Sequence, residues 1–290
     1  MRLISTLLLL GVATALTAAQ PPPLPPVEPQ IVPLWPDGSR NNPTEGPRPT
    51  LEIYRPFTPA RTANATIVIL PGGGYGMLSP FEKVFGEYFR SLRYAAVVVN
   101  YRVKPHRYPA AYADALRALR MVRAHGVEWG LPVKRLALYG GSAGGHLAAL
   151  VATRPDFYRD AEDDLAATVS ARPDRLILLY PVISASAPYR HGSFNNWFDA
   201  STPDTLREAV SPERHVTRDN PPVILFHAAD DKNVIPDNSI DFARACWAAE
   251  VPAELHIFPR GGHGRAFAYD AEVSPRWRTL VQEWLANWRE

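Results

Sequence analysis

Sulfur is scarce in this chain: of 290 residues one is cysteine, Cys246, and three are methionine. A lone cysteine excludes any intramolecular disulfide, so stability has to come from a buried core. Net charge is equally scarce, because 31 Lys and Arg against 29 Asp and Glu leave a formal charge of +2. That balance gives no electrostatic reason to expect nucleic acid or an anionic membrane as a partner. Metal motifs are missing, with no HExxH and no cysteine–histidine cluster, so neither a metal nor another cofactor is expected. No apolar run is long enough to cross a bilayer comfortably; the best, residues 3–16, is short and soon followed by proline. Charged residues at 21% and hydrophobic residues at 46% exclude a disordered chain and supply enough apolar side chains for a large core.

The short apolar run reads as an export signal. Arg2 precedes it, and Thr17-Ala18-Ala19 offers a small-residue cleavage site before Gln20. An uncleaved N-terminal anchor is the alternative. The expectation is a secreted or periplasmic protein with no stable membrane insertion once residues 1–19 are removed. Proline, by contrast, is plentiful at 30 residues, and many crowd into 21–36. That stretch reads as a polyproline-II tether, which sets a Pro-rich segment, 20–49, apart from a folded domain over 50–290.

From residue 50 a strand–helix rhythm begins. Residues 51–54 alternate as a half-buried strand, whereas 66–70 and 95–99 are continuous apolar runs, as strands covered on both faces would be. Further strands are expected at 135–139, 176–180, 223–226 and 253–258. Ser79-Pro80 opens a helix with Phe81, Val84, Phe85, Tyr88, Phe89 and Leu92 on one face. Other helices are expected from Tyr112 to about Gly126, over 143–153 and 239–249, and from Ser274-Pro275 to the C-terminus. Cys246 falls within 239–249 and reads as a buried structural thiol. Alternating strands and helices imply an α/β protein with a mostly parallel central sheet and helices on both faces. Ligands bind such sheets beyond the carboxyl ends of the strands. Residues 184–215 interrupt the rhythm and carry Tyr189, His191, Phe194, Trp197 and Phe198. They read either as a small lid-like insertion over that end or as a surface loop anchored by its aromatics.

Three features carry chemistry. Gly140-Gly141-Ser142-Ala143-Gly144 fits G-x-S-x-G, with a strand before it and a helix after it. This is the setting in which a strained turn exposes a nucleophilic serine. The helix N-terminus adds partial positive charge where an oxyanion would form. Pro71-Gly72-Gly73-Gly74-Tyr75 follows another strand, and its glycines let amides face a ligand. Gly73, Gly74 and Ala143 are the expected oxyanion donors, with Tyr75 as an extra one. His263 lies in Gly261-Gly262-His263-Gly264, after the last strand, where flanking glycines permit a tight loop. His146, His227 and His256 read as structural. His106, His125, His191 and His215 have no motif and read as exposed. The carboxylate that orients the base is Asp231 or its neighbour Asp230, and the spacing His227-x-x-x-Asp231-x-x-Val234 favours Asp231.

Taken together, Pro71–Tyr75, Asn100-Tyr101-Arg102-Val103, 111–123, 140–147, 230–234 and Gly262-His263-Gly264 resemble the microbial acetyl xylan esterase branch of the α/β-hydrolases. That branch is related to bifunctional acetyl xylan and feruloyl esterases and to lipolytic esterases. The likeness runs from about residue 34 to 268. It implies an α/β-hydrolase catalytic domain over 50–290 that removes acetyl groups from hemicellulose. Ser142 would be nucleophile, His263 base and Asp231 its orienter, and an acetylated polysaccharide or oligosaccharide would be the partner. Tyr75, Trp197 and Phe198 would then stack on sugar faces. The chain departs from the pattern in three places. Pro71 stands where a histidine usually precedes the glycines, Gly141 stands where a bulkier residue is common, and Ile235 adds a residue between Val234 and Pro236. A short-chain carboxylesterase or lipase, or a feruloyl esterase, is the alternative activity, and a non-enzymatic binding module comes third.

Overall fold

The computed structural model describes residues 28–56, 65–186 and 188–288. The signal-like residues 1–19 and the start of the proline-rich stretch, up to residue 27, lie outside them. Eight strands form one sheet in the order β1-β2-β4-β3-β5-β6-β7-β8. They are β1 (Gln30–Pro33), β2 (Thr50–Tyr54), β3 (Thr66–Leu70), β4 (Ala95–Asn100), β5 (Leu136–Gly141), β6 (Arg175–Leu179), β7 (Val223–Ala228) and β8 (Ala253–Phe258). Pairing is antiparallel between β1 and β2 and between β2 and β4, and parallel across the other five junctions.

Strand alternation divides the core in two. Val68, Leu70, Val97, Val99, Leu138, Leu178 and Leu225 face one side. There they meet α2 (Ala110–His125), α3 (Ala143–Thr153) and α6 (Asp237–Ala248). Ile67, Ile69, Val98, Tyr139, Ile177, Leu179, Ile224 and Phe226 face the other. That side is closed by α1 (Pro80–Ser91) and α8 (Val273–Ala286) through Phe85, Phe89, Trp277, Val281 and Leu285. Parallel strands covered on both faces carry apolar residues at every position, which is why β3 and β4 read as unbroken hydrophobic runs.

The N-terminal stretch is more than a tether. Gln30–Pro33 pairs with Thr50–Ile53 as the edge strand β1. Leu34 and Trp35 beyond it are fully buried. Trp35 Nε1 donates to Asp114 Oδ1 at 2.7 Å, and Arg117 Nε donates to the Leu34 carbonyl at 2.6 Å. Proline at an edge strand costs no ladder bond when its nitrogen side faces outward, so Pro33 is compatible with pairing. A buried ion cluster fixes α2 on the same side: Arg117 and Arg120 both donate to Asp163, at 2.8 and 2.6 Å. Cys246 is buried on α6, and burial pushes its thiol pKa up to about 12.

After β3 the chain runs through α1 to β4 on one side, then crosses through α2 to β5 on the other. The loops leaving β3 and β5 therefore part at a topological switch point, where open α/β sheets hold their ligands. Leu70 pairs with Gly140, so β3 and β5 end side by side.

Candidate active site

Ser142 sits between the last residue of β5 and the first of α3 with φ 53° and ψ −122°. This backbone conformation is costly for a residue with a side chain, and it persists only where the surroundings enforce it. Here the enforcement is crowding. A Cβ on Gly144 would lie 2.1 Å from the Leu70 carbonyl oxygen, and one on Gly140 would lie 2.2 Å from that of Gly144. The glycines let strand and helix close so tightly that the serine is pushed up out of the turn.

Ser142 Oγ donates to His263 Nε2 at 2.9 Å, and His263 Nδ1 donates to Asp231 Oδ2 at 2.7 Å. The histidine loop after β8 arrives through Gly262 and Gly264, both at positive φ. The two adjacent aspartates part company. Asp231 is buried, its Oδ1 accepting the amides of Asn233 and Val234 at 2.9 and 3.0 Å. Asp230 is exposed and accepts the Gly262 amide at 2.8 Å, so it ties down the histidine loop instead. Burial acts to raise the Asp231 pKa. Hydrogen bonds from His227 and His263, the nearby imidazole charge and the Val234 amide outweigh it and hold the carboxyl well below the usual range. Ile235, the extra residue, is accommodated in the turn before α6, where its carbonyl accepts the Asn238 amide at 3.2 Å. Asp231 is undisturbed by it.

His227 has a part that its strand position did not reveal. It is fully buried, with Nδ1 2.8 Å from Ser239 Oγ. Its Nε2 lies 2.8 Å from the Val234 carbonyl and 3.3 Å from Asp231 Oδ2. A carbonyl only accepts, so Nε2 carries hydrogen, and Asp231 Oδ2 faces an N–H from each of two histidines. Tyr180, at φ 37°, sets its ring edge-on to His263 with centroids 4.9 Å apart and supports the imidazole laterally.

Gly73 and Gly74 line the same cleft as Ser142 and His263. The bonds that close their loop use the Gly72 and Gly73 carbonyls, which accept from Ser79, Gly76 and Met77, and leave the Gly73 and Gly74 amides out. Ala143 opens α3, so its amide is one of the first four that have no partner within a helix. The Asn-Tyr-Arg run anchors this end of the sheet. Asn100 Nδ2 donates to Thr50 and Glu52 on β2, the Tyr101 hydroxyl donates to the Pro71 carbonyl, and Arg102 grips Asp114 on α2.

Tyr75, Trp197 and Phe198 are a correction. Their exposures are 1%, 1% and 3%, too little to offer a face to a sugar. Tyr75 and Trp197 stack on each other, with centroids 4.8 Å apart and planes within 6°. The Tyr75 hydroxyl donates to Nδ1 of buried His146 at 2.6 Å, so it is not an oxyanion donor either. His146 Nε2 donates to the Val210 carbonyl at 2.8 Å, and burial lowers its pKa to about 4. These aromatics fasten the insertion, which contains α4 (Phe194–Trp197) and α5 (Asp204–Ala209), to the glycine loop. Asn196 Nδ2 completes the fastening by donating to the Gly74 carbonyl at 3.0 Å.

His191, expected to be an exposed side chain, instead lines the cleft with Ser142, His263, Met77 and Asn233. The cleft measures about 470 Å³. The His191 Nδ1 accepts the Ser193 amide at 3.1 Å, which leaves Nε2 as the hydrogen-bearing nitrogen on the opposite edge of the ring. Burial, and then the neighbouring His263, lowers its pKa. A lone histidine before a glycine gave no sequence signal for this position. Among the described residues no group of three or more His, Cys, Asp or Glu is placed to hold a metal, and no helix is long and apolar enough to cross a membrane.

The profile of the BD-FAE family matches residues 51–246. The chain belongs to that family. It lies in the esterase branch of the α/β-hydrolases, as the solved relatives of the same architecture indicate. An acetyl ester-xyloside bifunctional hydrolase from Caldicellulosiruptor lactoaceticus is 35% identical, with a TM-score of 0.81 over 89% of this chain and 96% of that one. Endo-1,4-beta-xylanase B of Butyrivibrio fibrisolvens is 30% identical over 70% of this chain and 33% of its own length. An acetylxylan esterase of Xylanibacter ruminicola is 28% identical over 80% of this chain and 46% of its own. The BD-FAE chain thus spans a third to about half of these two larger relatives.

Proposed function

We propose that the protein is an exported serine esterase that removes acetyl groups from acetylated xylan, with Ser142, His263 and Asp231 as its triad. The observation that carries the reading is the unbroken relay of 2.9 and 2.7 Å from Ser142 Oγ through His263 to a buried carboxylate. It opens into a cleft shared with the amide-bearing glycine loop. In the acylation step His263 Nε2 takes the serine proton as Ser142 Oγ bonds to the acetyl carbonyl carbon. The carbonyl oxygen becomes an oxyanion and is held by the amides of Gly73, Gly74 and Ala143. His263 then returns the proton to the departing sugar oxygen. A water, deprotonated by the same nitrogen, cleaves the acetyl-serine to acetate and regenerates the hydroxyl. Activity falls in acid, because an imidazole that already holds a second proton cannot accept the one from serine.

His191 supplies a donor on the alcohol side. It lines the same cleft as His263, the group that protonates the leaving oxygen. Its Nε2–H is suited to a hydroxyl next to the acetylated one. The resemblance to xylan-active relatives supports the polymer, and the signal-like residues 1–19 support export, since polymeric xylan stays outside the cell. The test is acetate release from acetylated xylan, beside hydrolysis of p-nitrophenyl acetate, by wild type and Ser142→Ala. Loss of both activities in the variant is expected. Wild-type cleavage of the synthetic ester alone would replace the polymer with a small ester, and cleavage of neither would refute the enzyme.

A further inference from the structure

The insertion holds a second cavity of about 470 Å³ lined by Arg107, Arg190 and Arg207, one carboxylate, Asp199, and the rings of Phe194 and Phe198. Their partners differ. Arg107 is neutralised by Asp199 at 2.8 Å and donates to the carbonyls of Asn195 and Phe198. Arg207 is 7% exposed, and its guanidinium lies over the Phe198 ring at 4.9 Å. Its nearest carboxylate, Asp204, is 3.7 Å from Nε and almost wholly in solvent, while Nη1 is buried with no hydrogen-bond partner among the described residues. Arg190 is exposed, and among the described residues it reaches the amide oxygen of Asn195, at 3.4 Å.

A buried guanidinium without an acceptor is costly, and a second, uncommitted one beside it adds repulsion. An anion seated between Arg190 and Arg207 lowers that repulsion, and a planar carboxylate suits the guanidinium fork best. We propose that this pocket binds a carboxylate, and that the carboxylate belongs to a uronic-acid side group on the polymer. The proposal rests on the xylan reading above. Arg190 lines this pocket and the next residue, His191, lines the cleft of Ser142, so an acidic side group at the one would belong to a sugar near the backbone unit at the other. The site thus selects acetyl groups close to acidic substituents.

The test compares acetylated xylo-oligosaccharides with and without a glucuronic acid branch, with p-nitrophenyl acetate as control. Arg190→Gln is expected to lower kcat/KM for the acidic substrate about fivefold, the loss typical of one solvent-exposed charge contact. The neutral oligosaccharide and the synthetic ester should be unaffected, and Arg190→Lys should restore most of the loss. The difference should shrink in high salt. Equal effects on acidic and neutral substrates, or none on either, would overturn the site. Free sodium glucuronate, titrated calorimetrically against wild type and Arg190→Gln, decides the matter separately. Binding that weakens in the variant supports the pocket even if no xylan is cleaved, which would count against the polymer reading alone. Glucuronate binding without selective turnover would make the ligand a free sugar acid and overturn the side-group assignment, while no binding in either arm removes the pocket itself.

Discussion

Replacing Asp231 by asparagine separates orientation from packing, because the side chain keeps its shape. Oδ1 of Asp231 accepts two backbone amides, from Asn233 and Val234. An asparagine keeps its carbonyl oxygen there, which turns its NH2 group toward His263 Nδ1 and His227 Nε2. A donor opposite Nδ1 forces His263 to carry its proton on Nε2, the nitrogen that has to accept from Ser142. The wrong tautomer then dominates. The same exchange in a well-studied triad, which is a worked case for this chemistry, lowers kcat by about 10⁴, or roughly 5 kcal/mol of transition-state stabilisation. A comparable loss is expected here in kcat for p-nitrophenyl acetate near neutral pH, with KM little changed. The companion Asp230→Ala removes only the acceptor for the Gly262 amide and should cost less than about tenfold, within the range of one exposed hydrogen bond. An Asp231→Asn enzyme within tenfold of wild type, or an Asp230→Ala enzyme weaker than it, would refute the assignment of the triad carboxylate.

Three further outcomes are expected. The His191→Ala enzyme should lose kcat/KM on acetylated xylan by about tenfold, as for one good hydrogen bond, while keeping its rate on p-nitrophenyl acetate; equal losses on both would make His191 a structural residue. Buried His146 has its pKa lowered from 6.5 to about 4. The unfolded chain therefore binds a proton between those pH values that the folded chain refuses. Stability falls as pH drops from about 6.5 to about 4, by roughly 3 kcal/mol for this group. In urea unfolding at pH 7.5 and 4.5, His146→Gln should flatten the difference, and an unchanged slope would contradict the linkage. Gly144→Ala should destabilise the fold by several kcal/mol, since backbone rather than a mobile side chain lies 2.1 Å from the new methyl; a melting temperature within a few degrees of wild type would show that strand and helix can separate.

Much of this was legible in the sequence for definite reasons. Apolar runs such as 66–70 mark strands covered on both faces, and Ser142 and His263 stand in glycine settings that few other needs explain. Edge strand β1 was hidden because its residues follow a proline run whose composition signals a tether, and its pairing partners in β2 lie far along the chain, Gln30 with Ile53 and Pro33 with Thr50. Asp230 and Asp231 have the same side chain, and only the amides of Asn233 and Val234 select between them. The aromatics of the insertion carried an ambiguous signal, because stacking on a sugar and stacking on one another favour the same side chains. His191 had no signal, since its position depends on how the whole insertion returns to the sheet.

The link between Asn196 and Gly74, with Tyr75 stacked on Trp197, has a kinetic consequence. A cover that must swing aside makes an enzyme wait for a surface, and rates on greasy esters then jump once droplets form. Here the cover is bolted to the very loop that must hold still during the reaction. Turnover of a sparingly soluble ester should therefore rise smoothly with its dissolved concentration and level off at the solubility limit, with no jump when an emulsion appears.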